Sequence, residues 1–138
     1  MRVLTNKMVV VITAEAPVGV ALNTAALLGV GLGHHHDDAV GPDTEDAAGN
    51  AHTGMCAYPI PVLRASAEQL HDLRVEAAAR EGVTVHDMTQ IAQRARTYDQ
   101  MSATLAGTKP EDVEYLGVAL FGPRSSIDSL TGALPLYR

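Results

Sequence analysis

Cysteine and lysine are scarce in this chain, and no sorting signal is evident in it. Cys56 is the only cysteine, so no disulfide can close within the chain, which suits a reducing cytoplasm. Lys7 and Lys109 are the only lysines; with scattered arginines against 16 acidic residues the formal net charge is −6. A surface for tRNA or DNA needs clustered Lys and Arg, and this balance argues against one. The amino-terminal residues show no small-residue cleavage site of a secretory signal. No repeat or low-complexity tract is present. Charge is also missing from residues 16–33, nearly the length of a membrane span, but Pro17, Asn23 and several glycines interrupt the stretch. The expectation is a cytoplasmic protein with no membrane segment.

What is present organises itself around residues 7–33. Met8-Val9-Val10-Val11-Ile12 is a short β-branched apolar run, which favours a strand buried on both faces. Pro17 then stands where a first helical residue tolerates proline, and an apolar helix over 18–28 follows. Gly29, Gly31 and Gly33 are expected to close that helix, which should be nearly fully buried.

His34-His35-His36-Asp37-Asp38 and the polar stretch to Asn50 read as a long surface loop. Consecutive histidines cannot all aim at one ion and no spaced partner motif exists, so no metal site is expected. A chelator should leave the melting temperature unchanged. Gly54 to Leu63 looks like a second strand, kept from a fully paired central position by Pro59 and Pro61. Ser66 and Gln69 form a capping box for a helix that buries Leu70, Leu73 and Ala77 and stops at Gly82. Val83-Thr84-Val85 is a short strand ending at His86-Asp87.

After Asp87 or Thr89, Ile91, Ala95, Tyr98, Met101 and Leu105 fall on one side of a single third helix. Tyr115 to Phe121 is an apolar strand, Ser125 or Ser126 caps a short helix, and Ala133 to Tyr137 is a last strand. Strands alternating with helices predict one α/β domain over residues 1–138, with about four main strands and helices on both faces of the sheet.

The opening Lys7 to Val11, Val118 to Pro123, Ile127-Asp128 and Leu130 to Leu134 resemble the archaeal and eukaryotic type of peptidyl-tRNA hydrolase. Asp87-Met88-Thr89-Gln90 is similar to that family's segment of Asp, two small residues, a variable one and Thr-Gln. The whole chain also resembles the bacterial domain-of-unknown-function two thousand family, which shares that hydrolase's fold. Tyr58 to Pro61 with Leu63, Thr97-Tyr98 and the Thr-Gly-x-Leu-Pro-Leu tail carry that likeness. The resemblance implies a three-layer α/β/α architecture around a mixed four-stranded sheet, of the type II peptidyl-tRNA hydrolase kind.

One departure limits what carries over. In the hydrolases the turn after the first strand holds lysines between glycines, one of which serves the tRNA. The matching positions here are Val18-Gly19-Val20-Ala21-Leu22. Valine cannot replace a cation that holds phosphate or polarises an ester. Peptidyl-tRNA cleavage is therefore expected to be negligible, and salt-sensitive tRNA binding absent.

Asp87 matches the catalytic aspartate, though it can equally cap the next helix with Gln90. Its neighbour His86 should face the other side of the strand. Asn23 and Thr24 are polar groups in an apolar helix and must find partners or a cavity. The expected site places Asp87 at the mouth of a pocket with Asn23, Thr24 and the turn at Gly19, suited to a small neutral or weakly anionic ligand without a cofactor. Cys56 with His52 gives no dependable Cys–His pair, and a lone cysteine is ordinarily a small buried hydrophobe. The two functional readings are a small-molecule-binding or non-catalytic regulatory domain, and a hydrolytic or acyl-transfer enzyme acting on a small ester or amide or on aminoacyl- or peptidyl-tRNA. A homodimer is expected, through the segment at Pro59 and the tail Leu134 to Tyr137.

Overall fold

In the computed structural model, which describes residues 5–138, β1 (Asn6–Thr13) carries the sheet. The order is β4-β1-β6-β5, with β4 (Val62–Ala65), β5 (Thr84–Thr89) and β6 (Tyr115–Pro123). β1 runs parallel to β4 and antiparallel to β6, and β6 is antiparallel to β5. The sheet is therefore mixed, and Met8–Ile12 is internal as its composition requires.

Side-chain alternation along β1 divides the core in two. Met8, Val10 and Ile12 pack beneath α1 (Val18–His35) with Ala21, Leu28 and Leu32. Val9 and Val11 turn the other way with Leu70, Leu73 and Ala77 of α2 (Ala67–Ala79) and Ile127 of α5 (Arg124–Thr131). Helices thus cover both faces. The capping box of α2 is present in both halves: Gln69 N donates to Ser66 Oγ at 3.1 Å, and Ser66 N to Gln69 Oε1 at 3.0 Å.

Several boundaries differ from the sequence expectation. α1 runs through its glycines to His35, because Leu28 and Leu32 gain more by burial than a glycine costs a helix, about 1 kcal/mol each. Nor is α1 nearly buried. Its sheet-facing side holds Ala21, Thr24, Leu28 and Leu32, while Val18, Leu22 and Val30 are 69%, 67% and 72% exposed. Even so, no helix among the described residues is long and apolar enough to cross a membrane.

The stretch from Gly54 to Pro61 is irregular, with a single bridge from Cys56 to Val40; only Val62 onward is strand. Within the long loop, β2 (Thr44–Glu45) and β3 (Ala51–His52) form a small hairpin. The third helix is two, α3 (Gln90–Arg94) and α4 (Tyr98–Ala106). Thr97 accepts from Gln100 N at 3.1 Å and Gln100 accepts from Arg96 N at 2.8 Å, so a local cap restarts the helix there. Thr89 caps α3 by accepting from Ala92 N at 3.0 Å, which removes the capping role considered for Asp87. α5 begins at Arg124 behind Pro123, without a serine cap.

The tail is not a strand. It nevertheless lies against β4, with Arg64 N donating to Pro135 O at 2.9 Å and Tyr137 N to Val62 O at 2.8 Å. Part of the surface expected to dimerise is therefore covered from within the chain.

Candidate functional site

The chain leaves β1 for α1 on one face of the sheet and leaves β4 for α2 on the other. Two adjacent parallel strands whose following helices part in this way leave a crevice beyond their carboxyl ends. That crevice exists here, with a volume of about 540 Å³, between Thr13, Pro17 and Val20 on one wall and Ala67 and His71 on another. β5 runs parallel to β1 through their common partner β6, so α3, which follows β5, closes the third side with Gln90 and Arg94. A second cavity of about 390 Å³ opens between α3 and α4 and shares Gln90, Arg94 and Glu114 with the first.

The charge of the crevice is distinctive. Glu15, Glu68, Asp72, Glu111 and Glu114 all line it, against the one guanidinium of Arg94. His71 is engaged, its Nε2 at 3.1 Å from Pro110 O. Gln90 joins the opposite charges where the cavities meet: with its amide turned to suit both neighbours, it donates to the Glu114 carboxylate and accepts from Arg94 at 2.9 Å.

The sequence-predicted residues do not share this pocket. Gly19 is exposed in the first turn of α1, and Asn23 points to solvent. Thr24 is fully buried against the sheet, and its Oγ1 has no hydrogen-bond partner among the described residues. Asp87 faces the α2 layer, where Arg74 Nε lies 3.4 Å from Oδ2. It stands one step from the crevice, because the Arg74 guanidinium lies 5.7 Å over the Tyr115 ring and Tyr115 lines the wall. Burial pushes the Tyr115 hydroxyl up, opposed by Arg74.

Glu15, Glu68, Asp72 and Glu114 were not anticipated. The available signal was the rule that open α/β sheets bind beyond parallel strand ends; it requires knowing that β1 and β4 are neighbours.

A second cluster forms under the carboxyl end of α1. His86, on the opposite side of β5 from Asp87, meets His36 with the two Nε2 atoms 3.4 Å apart. His36 stacks on Phe121 at 3.9 Å, and the His35 ring lies 5.3 Å from His86. No group of three or more His, Cys, Asp or Glu side chains among the described residues is arranged to hold a metal ion. Burial first, then neighbouring imidazoles, hold both His36 and His86 below the ordinary range; Asp37, Asp38 and Asp87 oppose the shift.

A depressed histidine pKa means the unfolded chain binds protons more readily. Stability should hold above the unfolded value of about 6.5, fall as pH drops through it, and level off below the folded values. Asp128, held down by Lys7, and Asp46, held at about 2 chiefly by its hydrogen bond with His52, act only at lower pH. Urea midpoints measured from about pH 7.5 to about pH 5 should therefore slope less in His86→Leu than in the wild type. Parallel slopes would show that the pair does not govern this window.

Cys56 donates weakly to Tyr58 O at 3.4 Å, and His52 is occupied by Asp46 at 3.1 Å, so the two form no catalytic pair.

A family model described as "Protein of unknown function (DUF2000)" matches residues 6–138. The chain belongs to the DUF2000 family. Among solved structures, this DUF2000 chain is similar to the protein of unknown function Atu0240 of Agrobacterium tumefaciens. The two are 20% identical, with a TM-score of 0.90 over 99% of this chain and 100% of that one. At that identity the likeness shows a shared fold alone. No curated protein matches.

Proposed function

We propose that this DUF2000 chain, read as a single cytoplasmic domain over residues 1–138 with the architecture of type II peptidyl-tRNA hydrolases, binds a small organic cation in the crevice. The carrying observation is the charge of that crevice: five carboxylates against one guanidinium, at the place where open α/β sheets take ligands. This reverses the neutral or anionic ligand expected from the sequence. A phosphate backbone would meet repulsion here, which supports the reading against tRNA. The lining contains neither serine nor cysteine, and His71 is held by a backbone carbonyl, which supports binding over acyl transfer through a serine or cysteine nucleophile. Asp87 enters this reading as a support of the Tyr115 wall through Arg74.

Diamines and guanidino compounds should raise the melting temperature, and sugar phosphates should not. At a ligand concentration about 100 times Kd the gain is about 2.7 kcal/mol. Glu68→Gln combined with Asp72→Asn should abolish most of the shift while leaving the unliganded melting temperature nearly unchanged. Stabilisation by anions alone, or by none of these compounds, would refute the proposal.

A further inference from the structure

Arg94 stands apart from the acidic lining around it. It ends α3 and lines both the crevice and the cavity that adjoins it. Five carboxylates share that lining, yet none forms an ion pair with its guanidinium among the described residues. Gln90 is what separates it from Glu114. The Gln90 amide donates to the Glu114 carboxylate and accepts from Arg94 at 2.9 Å, so one residue orients the guanidinium and keeps the opposite charge off it. A guanidinium offers five N–H donors in a planar fork, of which Gln90 takes one. The others meet no acceptor among the described residues, at the place where the two cavities join.

We propose that the cation taken by the crevice is a basic α-amino acid, held by its carboxylate on Arg94 and by its ammonium groups on the acidic walls. This rests on the cation reading above and adds the anionic end to it. The charges of such a ligand match the lining in sign and place. Glu68 and Asp72 are four residues apart on α2 and so share one side of that helix, while Arg94 belongs to α3 on another wall. Glu15 adds a third carboxylate from the turn after β1. A diamine would satisfy these acids and leave the Arg94 fork unmatched. A phosphate would suit the fork, but it brings up to two negative charges into a crevice of five carboxylates. One carboxylate is the anion that the fork can pair and the surrounding field tolerates. The volume of about 540 Å³ is in the range of small-molecule sites.

Lysine and lysinamide test this, because lysinamide replaces only the carboxylate with a neutral amide. Attraction to a net negative crevice favours lysinamide, so charge alone predicts the wrong order. Isothermal titration calorimetry on the full chain should instead show lysine binding about tenfold tighter, the gain expected of a charge-assisted pair. In Arg94→Gln, an exposed position, the order should invert, with lysinamide binding no weaker than to the wild type. Arg94→Lys should restore only part of the preference, since an ammonium makes no bidentate pair. Melting temperatures without ligand confirm that each variant is folded. Lysinamide binding the wild type as tightly as lysine would overturn this inference and leave the cation reading standing. A preference for lysine that survives in Arg94→Gln would overturn it as well. Failure of both compounds to bind the wild type would overturn the cation reading and this inference with it.

Discussion

Gly117→Val should destabilise the protein by about 3 kcal/mol, the upper range for overpacking a filled core. Gly117 lies in β6 directly beneath α1, where a Cβ would stand 2.6 Å from Thr24 Cγ2 and 3.0 Å from both Ile12 Cδ1 and Leu28 Cδ1. The leucine and isoleucine ends can turn aside. Thr24 cannot, because it is fully buried, short and fixed to the helix backbone. Valine adds two further methyl groups in the same space, so α1 must lift from the sheet and Leu28 and Leu32 lose contact with it. Gly19→Ala, in α1 itself but meeting nothing within 4 Å among the described residues, serves as the control and should stabilise the protein by up to about 1 kcal/mol. Urea unfolding of both variants separates the cases, and a Gly117→Val protein as stable as the wild type would show that α1 is free to shift.

Leu120→Ala should cost a comparable amount, about 2 to 5 kcal/mol, for the opposite reason. Leu120 is fully buried in β6, paired with Val9 on one side and Val85 on the other, within the core that α2 and α5 cover. Its neighbours belong to a sheet and two helices that are fixed by their own hydrogen bonds, so the vacated space cannot close fully. The melting temperature should fall by roughly 10 °C or more for a domain of this size. A loss below about 1 kcal/mol would show that the layer collapses into the gap, and would contradict the close packing described here.

Three expectations that rested on local chemistry agree with the structure. The capping box at Ser66 and Gln69, the internal strand at Met8–Ile12 and the opposite facing of His86 and Asp87 each involve residues a few positions apart. One expectation that needed a distant partner did not hold. α1 was taken as buried because it is apolar, yet only one face meets the sheet. A local expectation failed as well: the continuous helix over 91–105 satisfied helical spacing, but spacing does not register that Thr97 and Gln100 restart the backbone hydrogen bonding.

The sequence alone determined the alternation of strands and helices, the buried central strand and the family, because apolar periodicity, caps and motif residues are local properties of the chain. Tertiary structure alone decided where a ligand can go. Glu15, Glu68, Asp72, Arg94 and Glu114 are spread over 100 positions of sequence and gather only because β1, β4 and β5 run parallel and end at one edge. The meeting of His36 with His86 arises in the same way, from α1 crossing the sheet so that its end lies over β5. Charge density and pKa depend on distances in space, and those follow from strand order, which no local pattern in this chain encodes.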